Sequence, residues 1–205
     1  MAEFAALEYW AENLARDHCG TITRRVLYVL RMAVFVALLR AVNVGGTGKL
    51  AMSDLRELCQ SAGFENVATY IQSGNLVLTS KLAAARVKQK LEAALRQKMR
   101  KPVGVFLRTP AELEAIVKRN PFKKAAPNQL LVLFLDRAAP KSALANLQIP
   151  GREEVKLSGR EVFIHYPDGM GRSKLKTPFA DTATGRNLNT VRKLIELSRA
   201  GAAGS

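Results

Sequence analysis

Cysteine and histidine are scarce in this chain of 205 residues, and their scarcity excludes several kinds of site. The two cysteines, Cys19 and Cys59, form no CxxC motif, which argues against a disulfide framework and against a zinc site. With only two histidines, His18 and His165, a multi-histidine metal centre is excluded by counting. We therefore expect no metal and no cofactor, and we expect the reducing environment of the cytoplasm.

Apolar runs of membrane-spanning length are also missing. The longest candidate, Val26 to Leu39, is interrupted by Arg31 and is too short to cross a bilayer as a helix. We predict no membrane partner, and we interpret Met32 as the natural start. Residues 1–31 are then a leader or extension, in which an amphipathic helix is indicated by the spacing of Phe4, Leu7, Trp10 and Leu14.

Acidic residues are few relative to basic ones, with 17 Asp and Glu against 32 Lys and Arg and a formal net charge of +15. Residues 1–31 hold four of each sign, so the whole excess lies in residues 32–205. Such a surface attracts phosphate groups. Basic patches also arise as ordinary solvated helix faces, so charge alone does not establish a ligand.

The pattern of apolar residues predicts an α+β protein. Val34 to Leu39 is an unbroken run rich in β-branched residues, typical of a strand buried on both faces at the centre of a sheet. The elements that follow it have the order of a ferredoxin-like split βαβ unit. They are a helix at Met52 to Ala62, a hairpin at Val67 to Ser80, a helix at Ala84 to Arg100 and a strand at Val103 to Leu107.

The second half of the chain predicts a related but less regular unit, so the fold class is α+β with two ferredoxin-like subdomains and mostly antiparallel sheets. The proposed subdomains are residues 32–109 and 110–199, and residues 200–205 have the composition of a flexible tail. The predicted elements are a helix at Ala111 to Lys118, a strand at Leu130 to Leu135, a helix at Lys141 to Asn146, a hairpin of Val155 to Leu157 with Glu161 to Tyr166, a polar segment at Asp168 to Gly185, and a helix at Asn189 to Arg199 capped by Asn187 or Asn189.

Four ordered motifs connect this chain with a known family. The strings LLRAVNVGG, TYIQSGN, YPDGMGRSKL and TGRNLNTVRKL resemble the DUF1697 family over about Met32 to Arg199. The resemblance implies two ferredoxin-like subdomains, and it implies no reaction, because the activity of that family is not established. Ala41 stands where the family usually has glycine, which implies that the backbone there does not need a positive φ angle. Leu188 stands where the family usually has tryptophan, which removes an aromatic surface.

The motif side chains are mostly hydrogen-bond donors in loops and at strand ends, where scaffolds carry function. Arginine, asparagine and backbone amides together can hold a phosphate or a carboxylate, so we predict an anion pocket. Turns and helix caps explain many of these positions equally well. The predicted anion-binding residues are Arg40, Asn43, Gln72, Ser73, Asn75, Arg172, Ser173, Lys174, Arg186, Asn187 and Asn189.

The helix predicted at Ala84 to Arg100 carries an apolar stripe on one face and many bases on the other. Such a face can contact a nucleic-acid backbone, and the sheet of a ferredoxin-like unit is an RNA platform in some families. The predicted contacts are Arg86, Lys88, Lys90, Arg96, Lys98, Arg100 and Lys101.

Signals for catalysis are weaker than signals for binding. Ser173 and Lys174 are adjacent rather than facing each other, His165 is isolated within a strand, and Asp168 is the only carboxylate inside the motifs. Three hypotheses follow: a binding module for nucleic acid or another phosphate backbone; an enzyme that holds a small phosphorylated or carboxylated metabolite with Arg40, Asn43 and Arg186; and an interaction protein that uses its leader. Whether the chain is an enzyme, and its oligomeric state, stay open.

Overall fold

The computed structural model describes residues 32–43 and 50–203. The predicted leader and the glycine-rich part of the first motif lie outside the described residues. In the part that is described, no helix is long and apolar enough to cross a membrane.

The first unit is a four-stranded antiparallel sheet with two helices on one face. Its strands have the order β2-β3-β1-β4, the arrangement of a ferredoxin-like split βαβ unit. The apolar run of the first motif forms β1, the partner of both β3 and β4, which confirms its predicted central position. The elements are β1 Ala33–Leu39, α1 Met52–Ser61, β2 Glu65–Tyr70, β3 Asn75–Ser80, α2 Ala84–Met99 and β4 Val105–Arg108.

The second unit repeats the strand order of the first. Its antiparallel sheet runs β6-β7-β5-β8, so the predicted pair of ferredoxin-like sheets is confirmed. The polar strand β8 was not predicted, because backbone pairing with β5 and not an apolar run defines it. The elements are α3 Pro110–Lys118, β5 Leu130–Phe134, β6 Glu154–Ser158, β7 Glu161–His165, β8 Thr184–Asn187 and α4 Leu188–Ala203.

The two crossover connections of the second sheet contain short 3-10 turns instead of helices. The prediction of a helix at Lys141 to Asn146 is wrong, because only the 3-10 turn Lys141–Leu144 forms there. Of that turn, only Ala143 and Leu144 pack on the core, which is too small an apolar face to hold a longer helix. At the other end of the unit, α4 continues to Ala203, into the segment predicted as a flexible tail, because alanine favours helix.

One apolar core joins the two units. Val36, Leu38 and Phe106 of the first sheet belong to the same buried cluster as Phe134 and Phe163 of the second. Helices α3 and α4 contribute to this cluster, and α4 contacts strands of both sheets. The face of the first sheet that could serve as an RNA platform is therefore covered, and the platform interpretation is wrong. The division at residues 109 and 110 stays a prediction.

Beside this core lies a buried ion pair that the sequence analysis missed. Arg108 and Glu161 are each 2% exposed, with Arg108 Nη2 2.8 Å from Glu161 Oε1. The second oxygen of Glu161 accepts from Arg119. Burial lowers the pKa of Arg108, and the charge of Glu161 opposes that shift. The pair connects β4 of the first sheet with β7 of the second.

Candidate functional site

Arg186 is the centre of the predicted anion pocket, but its hydrogen bonds are made within the protein. Its side chain is buried, with the residue 6% exposed. All five of its N–H groups have protein acceptors, and four of the six acceptors belong to the first unit, on β1, on β3 and in the turn between β2 and β3. Nε donates to Asn75 Oδ1 (2.5 Å), Nη1 to Thr184 Oγ1 and Gly185 O (both 2.8 Å), and Nη2 to Leu39 O (2.9 Å), Ser73 O (2.8 Å) and Gly74 O (3.2 Å).

We call this arrangement the Arg186 clamp, because one side chain of β8 holds the ends of β1 and β3. Its acceptors are neutral, and burial lowers the pKa of Arg186 to about 10. The side chain still carries its charge at neutral pH. Arg186 thus has a structural function here, and no donor remains for an external anion.

Two asparagines of the motifs also satisfy their amides internally. Asn43, at a φ of 57°, donates to Leu50 O and Gln72 O and accepts from the amide of Leu50. These bonds close the base of the loop between residues 43 and 50. Asn75 is fully buried, and its amide donates to Tyr70 O and Ser73 Oγ within the β2–β3 turn.

The other predicted residues near the clamp differ in how far their side chains form hydrogen bonds within the protein. Arg40 Nη1 donates to the carbonyl of Asp181 at 2.5 Å. Asn187 Oδ1 accepts from the amide of Thr190 at 2.8 Å, which confirms its role as the N-cap of α4. Gln72 and Asn189 are exposed. The structure thus brings most of the first, second and fourth motifs together, while anion binding there stays a prediction.

The two departures from the family pattern have structural consequences. Ala41 has a φ of 53°, so the expectation that this position does not need a positive φ is wrong. An L-residue other than glycine is strained in that region. Leu188 is 2% exposed and lies in the shared core. A larger side chain at that position would face the core and not a ligand.

The third motif lies elsewhere, on the outer side of the second sheet. Ser173 Oγ donates to Glu153 Oε1 and accepts from the amide of Leu175, so its hydroxyl is not directed to Lys174. Asp168 pairs with Arg152, whose hydrogen bond holds the pKa of that carboxyl below its usual range. Arg172 and Lys174 are exposed. The predicted anion-binding residues therefore form two groups rather than one pocket.

His165 has the packing role that its isolation indicated. Its Nδ1 lies 3.0 Å from Glu154 Oε1, and its ring packs against Phe122 with 5.6 Å between centroids. No group of three or more His, Cys, Asp and Glu side chains suited to a metal occurs within residues 32–43 and 50–203.

The seven predicted nucleic-acid contacts fall into a paired set and an unpaired set. Lys88 forms an ion pair with Asp136 at 2.5 Å, and Lys98 forms one with Asp54 at 3.0 Å. Within the described residues no acidic side chain pairs with the remaining five bases. Of these, Arg86 donates to Gln89 Oε1, and Lys90 Nζ lies 5.8 Å from the centroid of the Phe64 ring. The other three are Arg96, Arg100 and Lys101.

Three of the unpaired bases lie on one face of α2, and a fourth follows at its C-terminal cap. At 100° per residue, Arg86, Lys90 and Arg96 fall within about 120° of each other, turned away from the buried apolar stripe of the helix. Arg100 is the C-cap residue of α2 and has a left-handed backbone conformation, with a φ of 55°. The four side chains extend over about 21 Å of helix. We call them the basic face of α2.

The only carboxylate of α2, Glu92, flanks the basic face and is directed away from it. It accepts from the amide of Val105 at 3.3 Å and lies 3.8 Å from Lys88 Nζ. The charge of the basic face is therefore not neutralised by its own helix.

Comparison with known proteins identifies a family and a fold. A model of the family described as "Protein of unknown function (DUF1697)" matches residues 32–163, so the third and fourth motifs lie beyond the matched range. The solved structure of the conserved bacterial protein SP0830 from Streptococcus pneumoniae matches with a TM-score of 0.67 and 24% identity, over 82% of this chain and 99% of that chain. This likeness supports the fold alone. No curated protein matches the chain.

Proposed function

Because the chain belongs to the DUF1697 family of proteins of unknown function, we infer its activity from its own surface. We propose that it binds a phosphate backbone, most simply a nucleic acid, through the basic face of α2. One observation carries this proposal: three bases on one solvent-facing side of α2, and Arg100 at its C-terminal cap, have no acidic partner in the described residues. The paired Lys88 and Lys98 lie outside that side.

The dimensions of the basic face suit a repeating polyanion. Consecutive phosphates on one strand of a duplex are spaced by about 3.4 Å along the axis, so a face of about 21 Å covers about six of them. Each arginine can form paired hydrogen bonds with phosphate oxygens. Contacts of this kind position a protein on a backbone and do not read bases, so binding independent of sequence is expected.

The alternative of a metabolite enzyme at the Arg186 clamp has less support. Arg186, Asn43 and Asn75 use their donors to hold turns and strand ends. A ligand at that place would have to replace these bonds with its own. The surface of α2 needs no such exchange.

Fluorescence anisotropy with a labelled 20-mer single strand and its duplex, titrated at several salt concentrations, tests the proposal. For four phosphate contacts we expect the logarithm of the duplex association constant to fall with log salt at a slope of about −3.6. The variant Lys90→Gln/Arg96→Gln should make this slope shallower by about 2. The matched control Lys88→Gln/Lys98→Gln removes the same formal charge but acts on paired lysines, so its slope should stay near the wild-type value.

Two outcomes would overturn the proposal. One is no binding of either probe at low salt. The other is an equal loss in both double variants, which would show that net charge and not the basic face governs binding. Circular dichroism of each variant establishes that α2 remains folded.

A further inference from the structure

A polar cleft lies on the outer side of the second sheet, whereas α2 packs on the outer face of the first sheet. Its volume of about 590 Å³ is within the range of small-molecule sites. Four aliphatic residues, one alanine, one leucine and two prolines, form part of its wall. The polar lining consists of Ser142, Asn146, Gln148, Lys174, Lys176 and Thr177.

The charge of this cleft is of one sign. Lys174 and Lys176 line it, and no carboxylate among the described residues does. Both lysines are exposed, and neither forms an ion pair or a side-chain hydrogen bond with any residue of the described ranges. The nearby Arg152 contrasts with them, since Asp168 neutralises it. The cleft therefore presents two available ammonium groups.

The local backbone explains why the two lysines act on the same space. Residues 173–177 are not helical, and half-buried and exposed residues alternate along them. Leu175 packs on the outer apolar cluster of the second sheet, which turns Lys174 and Lys176 outward together. In an extended segment, residues two apart are about 7 Å from Cα to Cα. Two flexible lysine side chains at that spacing can reach one phosphate group.

The cleft exists because the second unit lacks the crossover helices of the first. On the first sheet, α1 and α2 cover the corresponding face. On the second sheet, the connections contain only the 3-10 turns Lys141–Leu144 and Met170–Arg172. These turns cover the apolar cluster and leave an opening between them.

The lining indicates a chemical class of ligand. Ammonium groups bind phosphate, while amides and hydroxyls such as those of Asn146, Gln148 and Ser142 exchange hydrogen bonds with alcohols. No aromatic side chain of residues 32–43 and 50–203 lines the cleft, so this part of the chain offers a nucleobase no stacking surface. We propose that this cleft binds a small phosphorylated, polyhydroxylated molecule of the sugar phosphate class. The site is separate from the basic face of α2.

Isothermal titration of the full chain with glucose 6-phosphate, ribose 5-phosphate and glycerol 3-phosphate tests this proposal, with glucose and inorganic phosphate as comparators. At least one phosphorylated probe should bind with a Kd below about 1 mM and more tightly than either comparator. Lys174→Gln/Lys176→Gln should weaken that probe at least tenfold. Lys141→Gln, an exposed lysine of the same region outside the lining, should leave it unchanged. Asn146→Ala should weaken the sugar phosphate more than inorganic phosphate.

Three results would overturn the assignment: no phosphorylated probe binding below about 1 mM, binding that glucose matches, or binding that the double lysine variant retains. Thermal unfolding of each variant shows that the fold is kept. The variant Lys90→Gln/Arg96→Gln should bind the probes normally. Failure of this site and failure of the nucleic-acid proposal are thereby distinguished.

Discussion

Replacing Arg186 with methionine tests whether the Arg186 clamp stabilises the contact between the sheets. The substitution keeps a long side chain and removes every donor. Leu39 O and Gly74 O retain other donors, namely the Thr184 hydroxyl and the Leu39 amide. Ser73 O and Asn75 Oδ1 lose the only donors that the described residues give them. A buried acceptor that is left without a donor lowers the free energy of unfolding by about 1–3 kcal/mol. Because the substitution also removes a buried charge, part of the cost of the two acceptors is offset. We therefore expect the free energy of unfolding to fall by about 3 kcal/mol.

Urea denaturation followed by circular dichroism measures this loss. Arg186→Lys keeps a cation with three donors and should lose less stability than Arg186→Met. Arg172→Met removes an exposed arginine and should stay within about 0.5 kcal/mol of the wild type. A change of less than about 0.5 kcal/mol in Arg186→Met would refute the clamp, and Arg186 would again be a candidate for ligand binding.

Backbone conformation and thiol burial give four further predictions. Gly74→Ala places a Cβ atom 2.9 Å from Leu39 Cβ at a φ of 75°, so it should destabilise by about 2 kcal/mol or more. Gly63→Ala has the same φ, but its Cβ would meet only the flexible Lys90 Nζ, at an ordinary contact distance of 3.6 Å, so it should cost about 1 kcal/mol. Ala41→Gly relieves a positive φ and should raise the urea midpoint, by an amount equivalent to up to about 1 kcal/mol; a lower midpoint would contradict this. Burial raises the pKa of Cys59 to about 12, so stability should fall as pH rises above about 9, where the unfolded thiol ionises. The Cys59 peptide should resist alkylation by iodoacetamide in native protein at pH 8, as read by mass spectrometry; rapid labelling without urea would contradict its burial.

The two proposed sites differ in the ligand property that each recognises. The basic face of α2 offers an extended row of charges, and its binding should depend steeply on salt. The cleft beside Lys174 and Lys176 makes few contacts with a small anion, so its binding should depend on salt less. Competition between glucose 6-phosphate and a labelled duplex is not expected, because the two surfaces lie on the outer faces of different sheets.

The sequence by itself determined the framework of both sheets. Val34 to Leu39 has no polar face, so a strand formed by it must be covered on both of its faces. Such a strand lies at the centre of a sheet. The stripe of Val87, Leu91 and Leu95 likewise defined α2 and the face that it buries. Where a segment lacks such a pattern, prediction failed: polar β8 was missed, and the 3-10 turn at Lys141–Leu144 was predicted as a helix.

Only the tertiary structure decided which charged side chains are available. Arg186 is separated by more than 100 residues from its acceptors on the first sheet, and the pairing of Lys88 with Asp136 joins the two units. Local periodicity reports whether a side chain faces the core or solvent. It does not report which partner a folded chain brings to that side chain, because that choice depends on the packing of distant segments. For this reason α2 was recognised as basic from its sequence, while only the fold distinguished the unpaired bases of its basic face from its paired lysines.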